Sequence, residues 1–217
     1  MSADALLAAL APVVRHCARL AADAPPTAPI EVECRTRIAD ATTFYALVQR
    51  LAACASDAWF TDHNDLLCAP RADEPAPLRV TYSTGADAAL QYALHKRRLL
   101  REPRGVQLAG SQQRWLVDAA QEHYRVAWTA DDEQRVAAAS AANGALLRAK
   151  QRASFVLRHT APAWRVDATR VEERRSDDAD AAPLLRYELE LELARFDAEP
   201  GALLAQAAAL LAQLGVR

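Results

Sequence analysis

Between Arg186 and Phe196 the chain reads RYELELELARF, and few folds can accommodate such a run. Tyr187, Leu189, Leu191 and Leu193 alternate with Glu188, Glu190 and Glu192, the two-residue period of a β-strand with two unlike faces. The three carboxylates recur about 6.8 Å apart on one face, at about 3.4 Å per residue. On an open sheet they would form an ordinary solvated face. A second strand with the same grammar stands near the other end of the chain, Ile30-Glu31-Val32-Glu33-Cys34-Arg35-Thr36-Arg37-Ile38. It sets Glu31, Glu33, Arg35 and Arg37 against apolar or small residues. Two Glu-x-Glu strands at opposite ends of one domain point to a barrel that closes on itself.

A chain of 217 residues is long enough for one barrel domain with a substantial core. The formal net charge of −2 argues against a protein that coats nucleic acid with a broad basic surface, though not against one that grips only a phosphorylated end. Cys17, Cys34, Cys54 and Cys68 contain no C-x-x-C pair, and no H-E-x-x-H pattern is present, so zinc is not expected. With no secretory signal visible, reduced thiols in an intracellular protein are the simplest reading. No apolar run reaches membrane-spanning length. The alanine-rich N-terminus carries Arg15 and Arg19, as a transit peptide would, but Asp4 and Asp23 and the apolar spacing suit a packed helix better.

Leu6, Leu10, Val13, Cys17 and Leu20 make the stripe of that helix, within residues 1–28, with Pro12 expected to kink it or start a new turn. Asp40 is the expected N-cap of a second helix with Phe44, Leu47, Val48 and Leu51 on its buried face. From Trp59 to Asp131 short strands separated by turns are expected, among them Leu78–Tyr82 and His123–Thr129. Leu90–Leu100 fits strand or helix, and Val136–Asn143 a short helix or a loop. Leu147–Leu157 places Lys150, Arg152 and Ser154 on one face. Ala163–Val171 places Arg165, Asp167 and Thr169 on one face, and Glu172–Asp180 reads as a polar loop. Pro200 opens a closing helix, within residues 199–217, with Leu203, Ala207, Leu210 and Leu214 on one side. One domain spans 1–217.

The charged strand faces can point either way. Pointing outward, they leave the apolar faces to fill a small barrel. Pointing inward, they line a lumen with Glu, Asp, Lys and Arg while the helices cover an apolar exterior. A close carboxylate pair then repels by roughly 4 kcal/mol at 4 Å and an effective dielectric near 20. A hard divalent cation together with interleaved Arg and Lys removes that cost, and such a lumen suits a polyphosphate.

The set Glu31-Val32-Glu33-Cys34-Arg35, Lys150-Gln151-Arg152-Ala153-Ser154-Phe155, Trp164-Arg165-Val166-Asp167-Ala168-Thr169 and Tyr187-Glu188-Leu189-Glu190-Leu191-Glu192 resembles the triphosphate tunnel metalloenzymes. Within them it is most similar to the mRNA-capping RNA 5′-triphosphatases of fungi, protozoa and viruses, with a compact length like that of trypanosomatid members. The resemblance implies a mainly β, α+β fold, a closed eight-stranded antiparallel barrel with supporting peripheral helices. It implies Mn²⁺ or Mg²⁺ held by Glu31, Glu33 and Glu192, and Glu190 orienting or deprotonating the attacking water beside Arg165 and Asp167. Lys150 and Arg152, with Arg79 and Lys96 from the less legible middle, would hold phosphate. Arg35, Thr169 and Glu188 would complete the lumen, and the family's glutamate on the strand before the loop has only the shorter Asp131 as a counterpart.

The implied activity is metal-dependent removal of the γ-phosphate from the 5′ end of nascent RNA, leaving a diphosphate end for capping. Handover to an RNA guanylyltransferase and residence in the nucleus go with that role, and the compact length favours a monomer. The rival reading is a tunnel enzyme of small triphosphates, namely free nucleotide, inorganic triphosphate or thiamine triphosphate. A non-catalytic phosphate-binding barrel fits less well, because a pure binder needs no paired Glu-x-Glu strands. There is no G-x-x-x-x-G-K-[ST] loop, and Asp23 stands where a cysteine phosphatase starting at Cys17 would need its Arg.

Overall fold

A computed structural model describes residues 3–23, 30–68, 72, 78–83, 90–98, 104–107, 114–125, 130–141, 146–158, 164–175, 182–193 and 198–215. Within these, the side chains of residues 20–23, 30–31, 82–83, 90–98, 104–107, 116, 118–125, 133, 136, 139–141, 146 and 175 lie outside the description.

The elements run α1 (Ala3–Asp23), β1 (Ile30–Ile38), α2 (Ala41–Cys54), β2 (Ala55–Cys68), β3 (Leu78–Ser83), β4 (Leu90–Arg98) and β5 (Arg104–Gln107). They continue with β6 (Arg114–Arg125), α3 (Ala130–Ala141), β7 (Leu146–Leu157), β8 (Trp164–Arg175), β9 (Leu184–Leu193) and α4 (Pro200–Gln213). Every ladder is antiparallel. The order is β1-β9-β8-β7-β2-β3-β4-β6, and β6 pairs back onto β1 from Ile30↔Glu122 to Thr36↔Trp115. The ladder thus returns to its starting strand after eight strands, with β5 as a ninth attached to β6.

Alternation explains which side is apolar. Val32 and Cys34 on β1, Phe155 and Leu157 on β7, Trp164, Val166 and Ala168 on β8, and Leu189, Leu191 and Leu193 on β9 belong to one buried cluster. The helices supply the rest of that cluster through Leu6, Leu10, Val13 and Cys17 of α1, Phe44 and Leu51 of α2, and Leu203, Ala207, Leu210 and Leu211 of α4. The hydrophobic core therefore lies between the barrel's outer surface and its helices, and each fully buried Leu or Phe there contributes about 1.5–3 kcal/mol. Trp164 fastens the two layers: its indole Nε1–H donates to the Leu203 carbonyl of α4 at 2.9 Å.

The expected caps are present. The Asp40 carboxylate accepts from the Thr43 amide at 2.9 Å, and Pro200 opens α4. Four expectations need correction. Pro12 does not start a new helix: α1 runs as one element from Ala3 to Asp23, with Leu10, Val13 and Val14 around the proline buried. β2 begins at Ala55, directly from α2, and not near Trp59. The polar run from Glu172 is not loop from its start, since β8 continues to Arg175, where Glu173 bonds Arg148 and Arg186. Asp131 is exposed in the first turn of α3 instead of on a lumen strand, because the chain leaves β6 at Arg125 and has turned helical by Ala130. Residues 126–129 of the expected strand lie outside the described residues. Leu90–Leu100, open to either reading, is strand as far as Arg98.

Candidate active site

Side chains on the face opposite the core point into the barrel. Register brings the charged strands together: Glu33↔Glu192 and Arg35↔Glu190 across β1 and β9, Asp167↔Glu190 and Thr169↔Glu188 across β8 and β9, Arg152↔Thr169 across β7 and β8. Glu33, Asp167, Thr169, Glu190 and Glu192 are buried although polar. Burial of this many carboxylates is tolerable only where cations share the space.

Five of these groups form one alternating chain. Arg165 Nη2 donates to Glu192 Oε2 at 2.6 Å and Arg165 Nε to Asp167 at 3.2 Å. Arg152 Nη1 donates to the same Asp167 carboxylate at 3.1 Å and Nη2 to Glu190 Oε2 at 3.4 Å. Burial works against the Arg152 charge, but Glu190, Asp167, Glu192 and Glu33 surround it and hold its pKa above the ordinary value. Arg165 is raised too, with burial opposing it and Asp167 and Glu192 favouring its charge. Arg186 Nε lies 3.6 Å from Glu188.

A second cluster stands on β2, β3 and β7, and three of its members, His63, Asp65 and Thr81, escaped sequence reading. Asp65, 1% exposed, takes Lys150 Nζ at 2.8 Å and Arg79 Nη2 at 2.9 Å on one carboxylate oxygen. The Thr81 hydroxyl donates to its other oxygen at 2.8 Å, and His63 Nε2 lies 3.7 Å away. Burial raises the Asp65 pKa, but Lys150 and Arg79 outweigh it and keep the group ionised. Burial, with Arg79 beside it, lowers Lys150 to about 8, against the pull of Asp65. His63 falls to about 4, chiefly by burial. The signal that could have found Asp65 is the spacing His63, Asp65 on one strand face, but Asn64-Asp65 reads in sequence as a turn.

Arg79, Lys150, Arg152, Arg165, Asp167, Thr169, Glu190 and Glu192 thus share one lumen wall, with Glu33 and Arg35 placed there by register. The ladder sets Lys96 opposite His123, and neither its side chain nor that of Glu31 lies within the described residues. Arg79 Nε, Arg152 Nε and Thr169 Oγ1 are buried donors with no hydrogen-bond partner among the described residues. Donors so placed suit an anion with several oxygens.

No protein-family model matches the chain, and no curated protein matches its sequence. Among solved structures it is similar to an RNA triphosphatase of S. pombe, with a TM-score of 0.61 and 14% identity over 93% of this chain and 88% of that one. It is similar also to the mimivirus capping enzyme triphosphatase, with a TM-score of 0.60 and 14% identity over 94% of each chain. This is the triphosphate tunnel fold. At such identity the likeness is one of architecture, and the chemistry rests on the tunnel's own residues.

Those residues suit a hard divalent cation in kind. Glu33 and Glu192 face one another across a ladder and are both buried, an arrangement that like charges disfavour unless a cation stands between them. Oxygen donors are what Mn²⁺ and Mg²⁺ prefer. Among the described residues no three Asp, Glu, His or Cys side chains converge as a ready-made site, and the Glu31 carboxylate is not one of those described.

Proposed function

We propose that this protein is a divalent-metal-dependent phosphohydrolase that removes the terminal phosphate of a triphosphate, with the 5′-triphosphate end of RNA as substrate. The observation that carries the reading is the division of one lumen into a basic group around Lys150 and Arg79 and an acidic group of Glu33, Glu190 and Glu192, with Arg152 between them. A plain structural barrel has no use for buried charge of both signs. A triphosphate needs both: cations on its oxygens, and carboxylates for a metal and a water.

In this reading Lys150, Arg79 and Arg152 hold the non-bridging oxygens, and Arg152, fixed by Asp167 and Glu190, offers its free Nε in a rigid fork. Glu31, Glu33 and Glu192 would hold Mn²⁺ or Mg²⁺, which neutralises charge on the phosphoryl group under attack. Glu190 orients the attacking water and accepts its proton. Arg165 keeps Glu192 and Asp167 in place. The diphosphate end so produced is the substrate of a guanylyltransferase, and the nucleus is where capping would require the protein.

The test is phosphate release from triphosphate-ended RNA, free nucleoside triphosphates and inorganic triphosphate, each with Mn²⁺ and with excess chelator. Metal-dependent release with RNA preferred is expected. Release undiminished by chelator would overturn the mechanism, and preference for a small triphosphate would assign the tunnel to that substrate instead.

A further inference from the structure

Trp59 differs from the other described tryptophans. Trp115 and Trp164 are 0% and 1% exposed, whereas Trp59 keeps 38% of its surface open. It nevertheless belongs to the lumen side. Alternation from Asp65 through His63 and Thr61 to Trp59 is unbroken, because the register shift in the β2–β7 ladder lies farther back, between Ala55 and Asp57. Its cross-strand partner is Ser154, which in turn faces Asp167, and Arg152 is its diagonal neighbour, within reach of a large aromatic side chain.

The described ladder to β3 covers only His63–Cys68, so this part of β2 stands beyond that pairing, and Thr61 is exposed as well. Along one face of β2 the order is His63 opposite Lys150, Thr61 opposite Arg152, then Trp59. The last is about 14 Å from the first at about 3.4 Å per residue. A molecule whose phosphates lie on Lys150 and Arg152 and whose remainder extends toward solvent along β2 reaches an open indole. The group that gains most from such a surface is flat, weakly polar and aromatic.

We propose that Trp59 is a stacking platform for the nucleobase of the substrate, so that the tunnel favours a triphosphate borne on a nucleotide over an inorganic one. The inference rests on the proposed function and adds a base subsite to it. Stacking on an aromatic side chain is tolerant of base identity, since every base has a π-face.

The experiment compares wild type with Trp59→Ala, Trp59→Leu and Trp59→Phe, using triphosphate-ended RNA, a free nucleoside triphosphate and inorganic triphosphate with Mn²⁺. The ratio of kcat/KM for nucleotide over inorganic triphosphate should fall about tenfold in the Ala and Leu variants and be largely kept in Phe. A fall with both nucleotide substrates assigns the first base to Trp59. A fall with RNA alone assigns a later base, and a fall with free nucleotide alone assigns a small-molecule substrate. An unchanged ratio, or Leu serving as well as Phe, overturns the stacking role. Fluorescence quenching by AMP, compared between wild type and Trp59→Phe, reads the subsite without turnover. Quenching that depends on Trp59, with no phosphate released from any substrate, would overturn the hydrolase reading and leave the base subsite standing. Quenching identical in the two proteins would overturn the subsite.

Discussion

A carboxylate in the middle of a wall meant for anions is a contradiction unless the cations need it. Asp65 meets that need, since Lys150 is buried deeply enough to lose its proton near pH 8 even with Asp65 at 2.8 Å. Lysine is a cation below its pKa and neutral above it. Accordingly kcat/KM, which reports the free enzyme, should decline as pH rises through about 8. Asp65→Asn removes the counter-charge, Lys150 then deprotonates at lower pH, and the basic limb should move down; a limb that stays in place would separate Asp65 from the phosphate grip. Arg152→Lys tests the neighbouring group. It keeps the charge but not the fork, and a loss of about a hundredfold is expected by analogy with the removal of one oxyanion donor. Arg174→Lys is the control, because Arg174 is exposed and bonded to Glu172 on the outlying end of β8. Equal activity in the two variants would place Arg152 outside the site.

At the scale of elements, β9 shows two roles on consecutive residues. Leu191 is 0% exposed in the outer core, and Glu190 beside it faces the lumen. Leu191→Ala should cost about 2–5 kcal/mol of stability, read as a shift in the denaturation midpoint. Glu190→Ala should cost little stability, since it relieves carboxylate crowding, yet lower turnover by about 10²–10³-fold if it positions the water. The reverse pattern would invert the barrel. A polar contact joins β8 to α4: Trp164→Phe removes the indole N–H that donates to the Leu203 carbonyl, which keeps its donor within the helix, so the lost hydrogen bond should cost about 0.5–1.5 kcal/mol.

For the molecule as a whole, period-two alternation made β1, β7, β8 and β9 legible, because a strand with unlike faces announces itself wherever it lies. Three- and four-residue spacing did the same for α1 and α4, and Asp40 marked the start of α2. The middle was harder to read. Asn64-Asp65 and the alanines around α3 are short-range signals that serve turn, strand and helix alike, so Asp65 was missed and Asp131 was placed on the wrong kind of element. Sequence alone determined that glutamates and arginines would share strand faces, since side-chain direction in a strand is a local property. Tertiary structure decided which acid meets which base. Pairing of Asp65 with Lys150 and Arg79, and of Asp167 with both Arg152 and Arg165, depends on register between strands far apart in the chain. It likewise decided that the charged faces turn inward, because only closure of β6 onto β1 gives those faces an interior, while the helices α1, α2 and α4 cover the apolar side.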